Sequence, residues 1–275
     1  MPLYDAHAHY AHPGLRAHWE QVSADLSQID LRCAVVNGIS PHDWPAVLQL
    51  AAQDSRILPA IGLHPWRVHS APHDWQTAFL AALQSGAQAI GEIGLDRGIE
   101  GADIALQQQA FTWQLRQASA RNLPVSIHCQ QAIGALMDCL RQIELPPRGF
   151  HLHAYNGPVE LIPELVTRGA YFSFGARQLA ATQHKARARI LAVPSARLLI
   201  ETDAPNLLPP AELRAFELPA SAEGNSLTHP ATLLGGYQAI AQLRGIGLDE
   251  LSAQVTLNFK TYFHSSTKLP RPTRA

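Results

Sequence analysis

Two histidines near the start of the chain have a spacing that suits metal binding. They belong to the run Asp5-Ala6-His7-Ala8-His9 in the first predicted strand. Because side chains alternate along a strand, Asp5, His7 and His9 are expected on one face, with the two histidine backbones about 7 Å apart. Two imidazoles can then reach one divalent cation, which would compensate three polar groups in an apolar interior. The alternative is a pair of hydrogen-bonded core histidines whose tautomer Asp5 fixes.

Metal-competent side chains also end four other apolar runs, and these are Glu92, His128, His153 and Asp203. One polar residue at a strand end is usually loop chemistry. Four of them, together with the paired histidines, indicate one site at the carboxyl ends of parallel strands. His151 and Glu201 share strand faces with His153 and Asp203. We favour His153 and Asp203 as ligands because they lie nearer the rim, so His151 is a core or orienting histidine and Glu201 a carboxylate that orients a ligand.

Short apolar runs alternate with helical segments, which is the pattern of parallel βα units. Strands are predicted near residues 3–9, 32–37, 57–63, 88–93, 124–128, 149–153, 170–174 and 197–202. Helices are predicted near residues 15–28, 43–54, 73–85, 104–121, 131–143, 159–168, 178–192 and 230–244. Eight such units predict an α/β fold of the TIM-type (β/α)8 barrel class, whose functional residues lie at the carboxyl ends of the strands.

The chain has 275 residues and no Gly/Ser linker, which suits one barrel of roughly 250 residues. We expect a single barrel domain over residues 1–264 and a frayed C-terminal tail over residues 265–275. The proline-rich stretch 207–227 is expected to be an active-site loop.

Composition excludes several classes of protein. The formal net charge is −1, so no overall basic field favours nucleic acid or an anionic membrane, and any such partner must be bound locally. Three cysteines without a CxxC spacing indicate reduced thiols in a cytoplasmic protein. No apolar run approaches the roughly 18 residues of a membrane span. Histidine is abundant, at 14 residues.

The ordered motifs resemble the TatD-like metal-dependent hydrolases, a family of amidohydrolase-type barrels. The resemblance covers nearly the whole chain. Its motifs are Asp5-Ala6-His7-Ala8-His9, Gly62-Leu63-His64-Pro65, Gly91-Glu92-Ile93-Gly94-Leu95-Asp96, Leu123-Pro124-Val125-Ser126-Ile127-His128, His153-Ala154-Tyr155-Asn156-Gly157, Glu201-Thr202-Asp203-Ala204-Pro205 and Thr256-Leu257-Asn258. The resemblance implies a barrel with two divalent ions at its mouth and hydrolysis of phosphodiester bonds in DNA.

The resemblance also implies a ligand set. His7, His9 and Asp203 would hold one ion, His128 and His153 the other, and Glu92 would bridge both. The catalytic residues are then Asp203 and Glu92: metal-activated water attacks phosphorus, Asp203 accepts its proton, and no covalent protein intermediate forms. Imidazole and carboxylate ligands suit Mg, Mn and Zn alike. Since the imidazoles must be neutral, metal binding is expected to weaken below about pH 6.

Other positions bear on the substrate. His64 matches a family histidine that contacts substrate phosphate, and its alternative is a capped loop histidine. Where the family usually has Arg two residues after the fifth-strand histidine, this chain has Gln130, which removes a cation that binds phosphate. Where an aromatic residue commonly follows the Gly91 motif, it has Arg97, which could supply a cation elsewhere. These departures leave a small-molecule amidohydrolase or esterase as the second hypothesis for this metal-dependent enzyme, and a non-catalytic scaffold as the third.

Two further features are candidates for contact with nucleic acid. The basic run Lys185-Ala186-Arg187-Ala188-Arg189 places Lys185 and Arg189 on one helical face, where they could bind a phosphate backbone or form an ordinary solvated face. Trp44, Trp66 and Trp75 are candidates for base stacking, although the helical spacing of Trp75 and Phe79 favours the core.

Overall fold

A computed structural model gives the structure of residues 1–219, 224 and 226–264. Eight strands form one parallel sheet in chain order, and each strand pairs with the next. They are β1 (Leu3–Ala8), β2 (Leu31–Gly38), β3 (Ile57–Ile61), β4 (Ala89–Asp96), β5 (Val125–Gln130), β6 (Phe150–Leu152), β7 (Ala170–Phe174) and β8 (Leu198–Ile200). The chain is an α/β protein with a single-domain TIM-type (β/α)8 barrel, as the sequence predicts.

Helices follow the strands and cover the outside of the sheet. They are α1 (Pro13–Arg16), α2 (Trp19–Gln28), α3 (Trp44–Gln53), α4 (Trp75–Gln84), α5 (Ile104–Arg121), α6 (Ile133–Gln142), α7 (Ile162–Thr167), α8 (His184–Ala192), α9 (Leu233–Arg244) and α10 (Leu248–Phe263). The predicted helix 15–28 is divided in two, and α7, α8 and α9 begin later than predicted, each after a 3-10 turn. Helix α10 was not predicted.

The barrel closes between β1 and the segment that follows β8. The backbone N–H of Asp203 donates to the carbonyl of His7 at 2.9 Å, and that of His9 donates to the carbonyl of Ala204 at 2.7 Å. Asp5 adds a third link, since its Oδ1 accepts from the backbone N–H of Thr202 at 3.0 Å. The closing contacts therefore lie among the residues that carry the predicted ligands.

The bottom of the barrel, at the amino ends of the strands, is filled by α10. Phe259, Tyr262 and Phe263 pack there with Tyr4 and Tyr171 in one buried cluster. The hydroxyl of Tyr262 donates to the carbonyl of Val125 at 2.7 Å, so this polar atom is satisfied inside an apolar layer. A separate and larger core lies between the sheet and the helices.

Register shifts in β1 and β4 change which side chains face the interior. The pairing of β1 with β2 shifts between Asp5 and Ala8, and that of β4 with β5 shifts between Ile90 and Ile93. Asp5 does not share the site of His7 and His9: its Oδ2 accepts from the hydroxyls of Tyr10 and Thr202. The alternative in which Asp5 fixes the tautomer of those histidines is therefore not the arrangement found, since Asp5 contacts His7 at the backbone N–H of His7, at 3.2 Å.

The long helix α5 fixes the ends of two strands that carry site residues. Its N-cap Asp103 accepts from the N–H of Leu106 at 2.9 Å. Two buried glutamines lie about one and three turns into the helix, and each side-chain amide accepts the backbone N–H and donates to the backbone C=O of one residue. Gln107 pairs in this way with Asp96, and Gln114 with Leu63. These contacts hold the backbone beside His64 and at the end of β4.

Two of the predictions concern segments at the limits of the described residues. Residues 265–275, predicted to be a frayed tail, are outside the described residues. The predicted loop 207–227 is described in part and contains a 3-10 turn at Ala211–Leu213. Of the helices in the described part of the chain, none has the length and hydropathy that crossing a bilayer requires.

Candidate metal centre

The predicted ligands converge on Glu92, which lies in β4 and is 4% exposed. One nitrogen from each of five histidines lies between 2.8 and 3.4 Å from a Glu92 oxygen; these are His7, His9, His64, His128 and His153. Asp203 joins from the segment after β8, with its Oδ1 3.3 Å from Nε2 of His9. The fold therefore brings all six predicted ligands, and His64, to one place.

The two oxygens of Glu92 divide this cluster into two sides. Oε2 faces Nε2 of His7 at 3.4 Å and Nε2 of His9 at 3.3 Å, which are the two histidines that Asp203 approaches. Oε1 faces Nδ1 of His128 at 2.9 Å and Nε2 of His153 at 2.8 Å. One buried carboxylate thus contacts both sides.

The outer nitrogens of two of these rings are held by acceptors. Nδ1 of His9 donates to the carbonyl of Asn37 at 2.9 Å. Nε2 of His128 donates to Oδ2 of Asp96 at 3.1 Å. An imidazole that donates from one nitrogen presents a lone pair at the other when it is neutral. His9 and His128 can therefore offer lone pairs to a cation through Nε2 and Nδ1, respectively.

His64 has the opposite arrangement. Its Nδ1 accepts the backbone N–H of Trp66 at 3.1 Å and caps the 3-10 turn Pro65–Arg67. The proton of the neutral ring is then on Nε2, which donates to Oε1 of Glu92 at 3.2 Å. Burial lowers the pKa of His64 to about 4, so the ring is neutral at pH 7. His64 is both a capping residue and a hydrogen-bond donor at the edge of the cluster.

A buried chain of hydrogen bonds lies beneath the cluster. It runs from Nδ1 of His7 to Ser126 (2.7 Å), from Ser126 to Nδ1 of His151 (3.3 Å), from Nε2 of His151 to Ser173 (2.5 Å), and from Ser173 to Oε2 of Glu201. Burial lowers the pKa of His151 well below its usual range, so the ring is neutral. His151 is thus the deeper histidine of its strand, as expected.

The hydrogen bonds from His7 to Glu201 have one consistent direction of donation. Because a carboxylate only accepts, Ser173 donates to Glu201, His151 donates to Ser173, and Ser126 donates to His151. Ser126 can then only accept from Nδ1 of His7. The amide nitrogen of Asn37 lies 3.2 Å from the same His7 atom, but the Ser126 contact is shorter. The arrangement favours a lone pair on Nε2 of His7.

Charges within the cluster shift the pKa values of its members. Burial raises the pKa of Glu92, but His64, His153 and His7 outweigh burial and hold it well below its usual range. Burial likewise raises the pKa of Asp203, and its hydrogen bond with His9 brings it below the usual value. Burial lowers the pKa of His9, yet Asp203 and Glu92 raise it to about 10. Both carboxylates are therefore ionised at neutral pH.

The donor set fits a divalent cation. Among the described residues, Nε2 of His7 is buried without a hydrogen-bond partner. Nδ1 of His128 and Nε2 of His153 lie 3.2 Å apart, and both face Oε1 of Glu92, so a proton or a cation must separate three acceptors. Three triads have ligand atoms within 4.8 Å of one another: His7 with His153 and Asp203, His7 with His9 and Glu92, and His64 with Glu92 and His128.

Several residues that touch the ligands were not identified in the sequence as site residues. Asp96 holds His128, Asn37 holds His9, and Ser126 and Ser173 belong to the buried chain. Asp96 stood inside a recognised motif, so a signal for it existed. Ser126 likewise lies in a recognised motif, the run that ends at His128, whereas Ser173 lies in none, and its partners His151 and Glu201 belong to other segments.

The structure shows where the two departures from the family pattern and the basic run of α8 lie. Gln130 accepts from the side-chain nitrogen of Asn156 at 2.5 Å, and Arg97 is exposed just beyond Asp96. In α8, Lys185 is exposed, whereas Nε of Arg189 donates to the carbonyl of Gly157 at 2.6 Å. Arg189 therefore stabilises the loop after β6.

The fold and this cluster define a metal-dependent hydrolase. The chain matches the family model described as TatD related DNase over residues 4–264, and it belongs to that family. It is 32% identical over 240 residues to the 3'-5' ssDNA/RNA exonuclease TatD of Shigella flexneri, covering 83% of this chain and 86% of that protein. It is 26% identical over 267 residues to the Uncharacterized metal-dependent hydrolase YcfH of Escherichia coli, covering 96% of each.

Solved structures share the fold. YJJV, a TatD homolog from Escherichia coli, has a TM-score of 0.86 at 24% identity, over 96% of this chain and 98% of that chain. A hydrolase TatD family protein from Entamoeba histolytica has a TM-score of 0.81 at 17% identity, with the same two coverages.

Proposed function

We propose that this protein is a divalent-metal-dependent nuclease that hydrolyses phosphodiester bonds in DNA. The observation that carries the proposal is the position of Glu92, whose two oxygens face two separate groups of ligands. Two-metal phosphodiesterases need a shared ligand between ions about 3.5 to 4 Å apart. A cytoplasmic location, inferred from the unpaired cysteines, forms part of the proposal.

The proposed ligand set follows the two sides of the cluster. His7, His9 and Asp203 would hold one ion, His128 and His153 the other, and Glu92 would serve both. Mg, Mn or Zn bound there would supply positive charge that polarises the phosphoryl group and acidifies water. Asp96 and Asn37 keep His128 and His9 in the tautomers that ligation needs.

Asp203 and His64 have different proposed roles. Asp203 is ionised at neutral pH and accepts the proton of the attacking water on its carboxylate. His64 keeps its proton on Nε2 and donates a neutral hydrogen bond to a substrate phosphate oxygen. Neither role needs a covalent protein intermediate.

The choice of a nucleic acid rests on the family and on the name of one relative, the TatD exonuclease of Shigella flexneri. One observation favours the second candidate, a small-molecule amidohydrolase or esterase that uses the same site. Gln130 stands where the family usually has a phosphate-binding Arg, and it pairs with Asn156 instead. The pair of Gln130 and Asn156 carries no charge.

The test is a substrate panel on metal-depleted protein. Single-stranded and duplex DNA, RNA, a simple phosphodiester, an ester and an amide are each assayed with Mg, Mn and Zn. We expect hydrolysis of DNA that chelator abolishes and metal restores. A Glu92→Ala variant purified in parallel controls for contaminating nucleases. Turnover of the ester or amide alone would support the second candidate, and full activity in metal-free protein would overturn both.

A further inference from the structure

Trp66 is the aromatic residue at the mouth of the barrel. It is 55% exposed, whereas every other Phe, Tyr or Trp among the described residues is buried or partly buried. Its ring centroid lies 4.9 Å from that of His64 and 6.3 Å from that of His128. A large apolar face is therefore open to solvent beside the metal centre.

The indole is fixed in place despite its exposure. Its Nε1 donates to Oδ2 of Asp96 at 2.6 Å, and the same oxygen accepts from His128. The backbone N–H of Trp66 is bound by His64. Both N–H groups of this residue are thus held by site residues, and the free part of the side chain is the ring face. The ring is pre-organised to receive a flat partner without ordering a mobile side chain.

Three of the other four tryptophans have a different environment. Trp75 and Trp113 pack edge to face at 5.0 Å and both contact Phe79, and Trp44 is buried and donates to the carbonyl of Gly62 at 2.9 Å. These contacts place them in the hydrophobic core. Of the candidates named from the sequence, Trp66 alone combines exposure with a position at the site.

We propose that the face of Trp66 is a nucleobase-stacking subsite, which binds the base next to the phosphate held by His64 and the metal centre. The inference rests on the proposed function and specifies its substrate. A base in a duplex has both faces covered by its neighbours, so the subsite selects single-stranded or frayed nucleic acid. Because every base has a π-face, stacking tolerates different sequences.

A purely structural role would give Trp66 a different signature. Its N–H could serve only to hold Asp96 and, through Asp96, His128. Trp66→Phe keeps an aromatic face but removes this N–H, whereas Trp66→Ala removes both. Asp96→Asn keeps an oxygen that can accept from Trp66 but removes the charge beside His128. The three variants separate stacking from the support of the ligand.

The experiment uses single-stranded oligonucleotides with an abasic nucleotide at one position in turn. Dissociation constants are measured by fluorescence anisotropy with metal-loaded protein in an Asp203→Asn background, and kcat and KM with Asp203 intact. We expect one abasic position to weaken binding to the otherwise unaltered protein by roughly 5- to 150-fold, the range for loss of one stacked base. Trp66→Ala should bind intact and abasic strands alike, and Trp66→Phe should retain most of the discrimination.

The remaining outcomes are decisive. Equal discrimination by Trp66→Ala and the parent would overturn the subsite. A second pattern would also overturn the subsite. If Trp66→Phe, Trp66→Ala and Asp96→Asn all lose kcat to the same extent without a change in KM, the role of Trp66 is to support His128. Cleavage of DNA without abasic discrimination refutes the subsite and leaves the nuclease intact. Failure to bind or cleave any nucleic acid refutes both.

Discussion

The two ends of the barrel interior have opposite chemistry within one ring of strands. At the amino ends of the strands, α10 inserts Phe259, Tyr262 and Phe263 among apolar and tyrosine side chains. At the carboxyl ends, Glu92 and Asp203 meet the clustered histidines, and most of the interior is polar. The strands supply both layers, because each contributes different residues along its length.

His151 lies at the boundary between these layers. Its ring is 5.9 Å from Phe263 and 6.3 Å from Tyr262, while its nitrogens belong to the hydrogen-bonded chain beneath the ligands. The comparison indicates separate roles. The lower layer, at the amino ends of the strands, contributes stability, the upper layer, at the carboxyl ends, contributes chemistry, and the residues at the boundary between them fix the orientation of His7.

Removing the central carboxylate is the largest test of the upper layer. Glu92→Ala should abolish hydrolysis and reduce metal content, since one side chain contacts both sides of the cluster. Metal analysis beside single-turnover kinetics measures both effects. Glu100→Ala, an exposed glutamate, is the control for loss of one negative charge. Retention of two ions by Glu92→Ala would refute the bridging role.

Asp203→Asn should lower the single-turnover rate by about 10²- to 10⁴-fold, the range for loss of a general base. The asparagine keeps one coordinating oxygen, so at least one ion should remain bound. The same metal analysis checks this. If the variant keeps both ions and most of its turnover, Asp203 is not the residue that accepts the proton.

The lower layer is tested by Phe259→Ala. Loss of this fully buried ring should reduce the free energy of unfolding by about 3 to 5 kcal/mol, measured by urea denaturation, with kcat per folded molecule unchanged. Leu257→Ala is the matched control, because Leu257 is 61% exposed in the same helix and should change stability by less than about 0.5 kcal/mol. A parallel loss of metal affinity in Phe259→Ala would contradict the division into layers.

Ser173→Ala tests the boundary. It interrupts the chain between His151 and Glu201, so the proton on Nδ1 of His7 loses its support, and metal affinity should fall by about 10- to 100-fold. Titration calorimetry measures the affinity, and ¹⁵N chemical shifts report the histidine tautomers. Ser173→Thr keeps the hydroxyl and should restore both. An unchanged tautomer population in Ser173→Ala would show that the chain does not control His7.

The smallest expected effect concerns pH. Without an ion, His9 has a pKa of about 10 and is protonated at pH 7, yet ligation needs its neutral form. Raising the pH removes this competing proton, so metal affinity should increase by about tenfold per pH unit between pH 7 and 9 for one displaced proton. Calorimetry in two buffers with different ionisation enthalpies measures the release. Binding without proton release at pH 7.5 would contradict the high pKa. The pH range over which metal affinity changes therefore lies above the value of about pH 6 that the sequence predicts.

The barrel and the cluster were predictable because their signals are local. Each strand contains a short apolar run, and His153 and Asp203 follow the ends of β6 and β8. Glu92 and His128 lie inside β4 and β5, which continue past the predicted ends to Asp96 and Gln130. The residues that orient them required the folded chain. Asn37 and Ser126 act through partners on other strands, and no spacing in the sequence relates Ser173 to Glu201.

Two differences have identifiable physical causes. Helix α10, which the strand and helix pattern did not predict, carries Leu251, Val255 and Phe259 at four-residue spacing, which is itself a helical signal. Asp5 lies apart from His7 and His9 because the register of β1 shifts between Asp5 and Ala8. Simple alternation along a strand does not apply across such a shift.

The way the barrel closes has a consequence for biosynthesis. Asp5 and Thr202 are 197 positions apart in the chain, and the hydrogen bonds around them align His7 and His9 with Asp203. On the ribosome, the amino-terminal histidines emerge long before the aspartate that completes their side of the cluster. During translation the polar residues of the early strands therefore lack their partners at first, and the cluster can be complete only after Asp203 has left the ribosome.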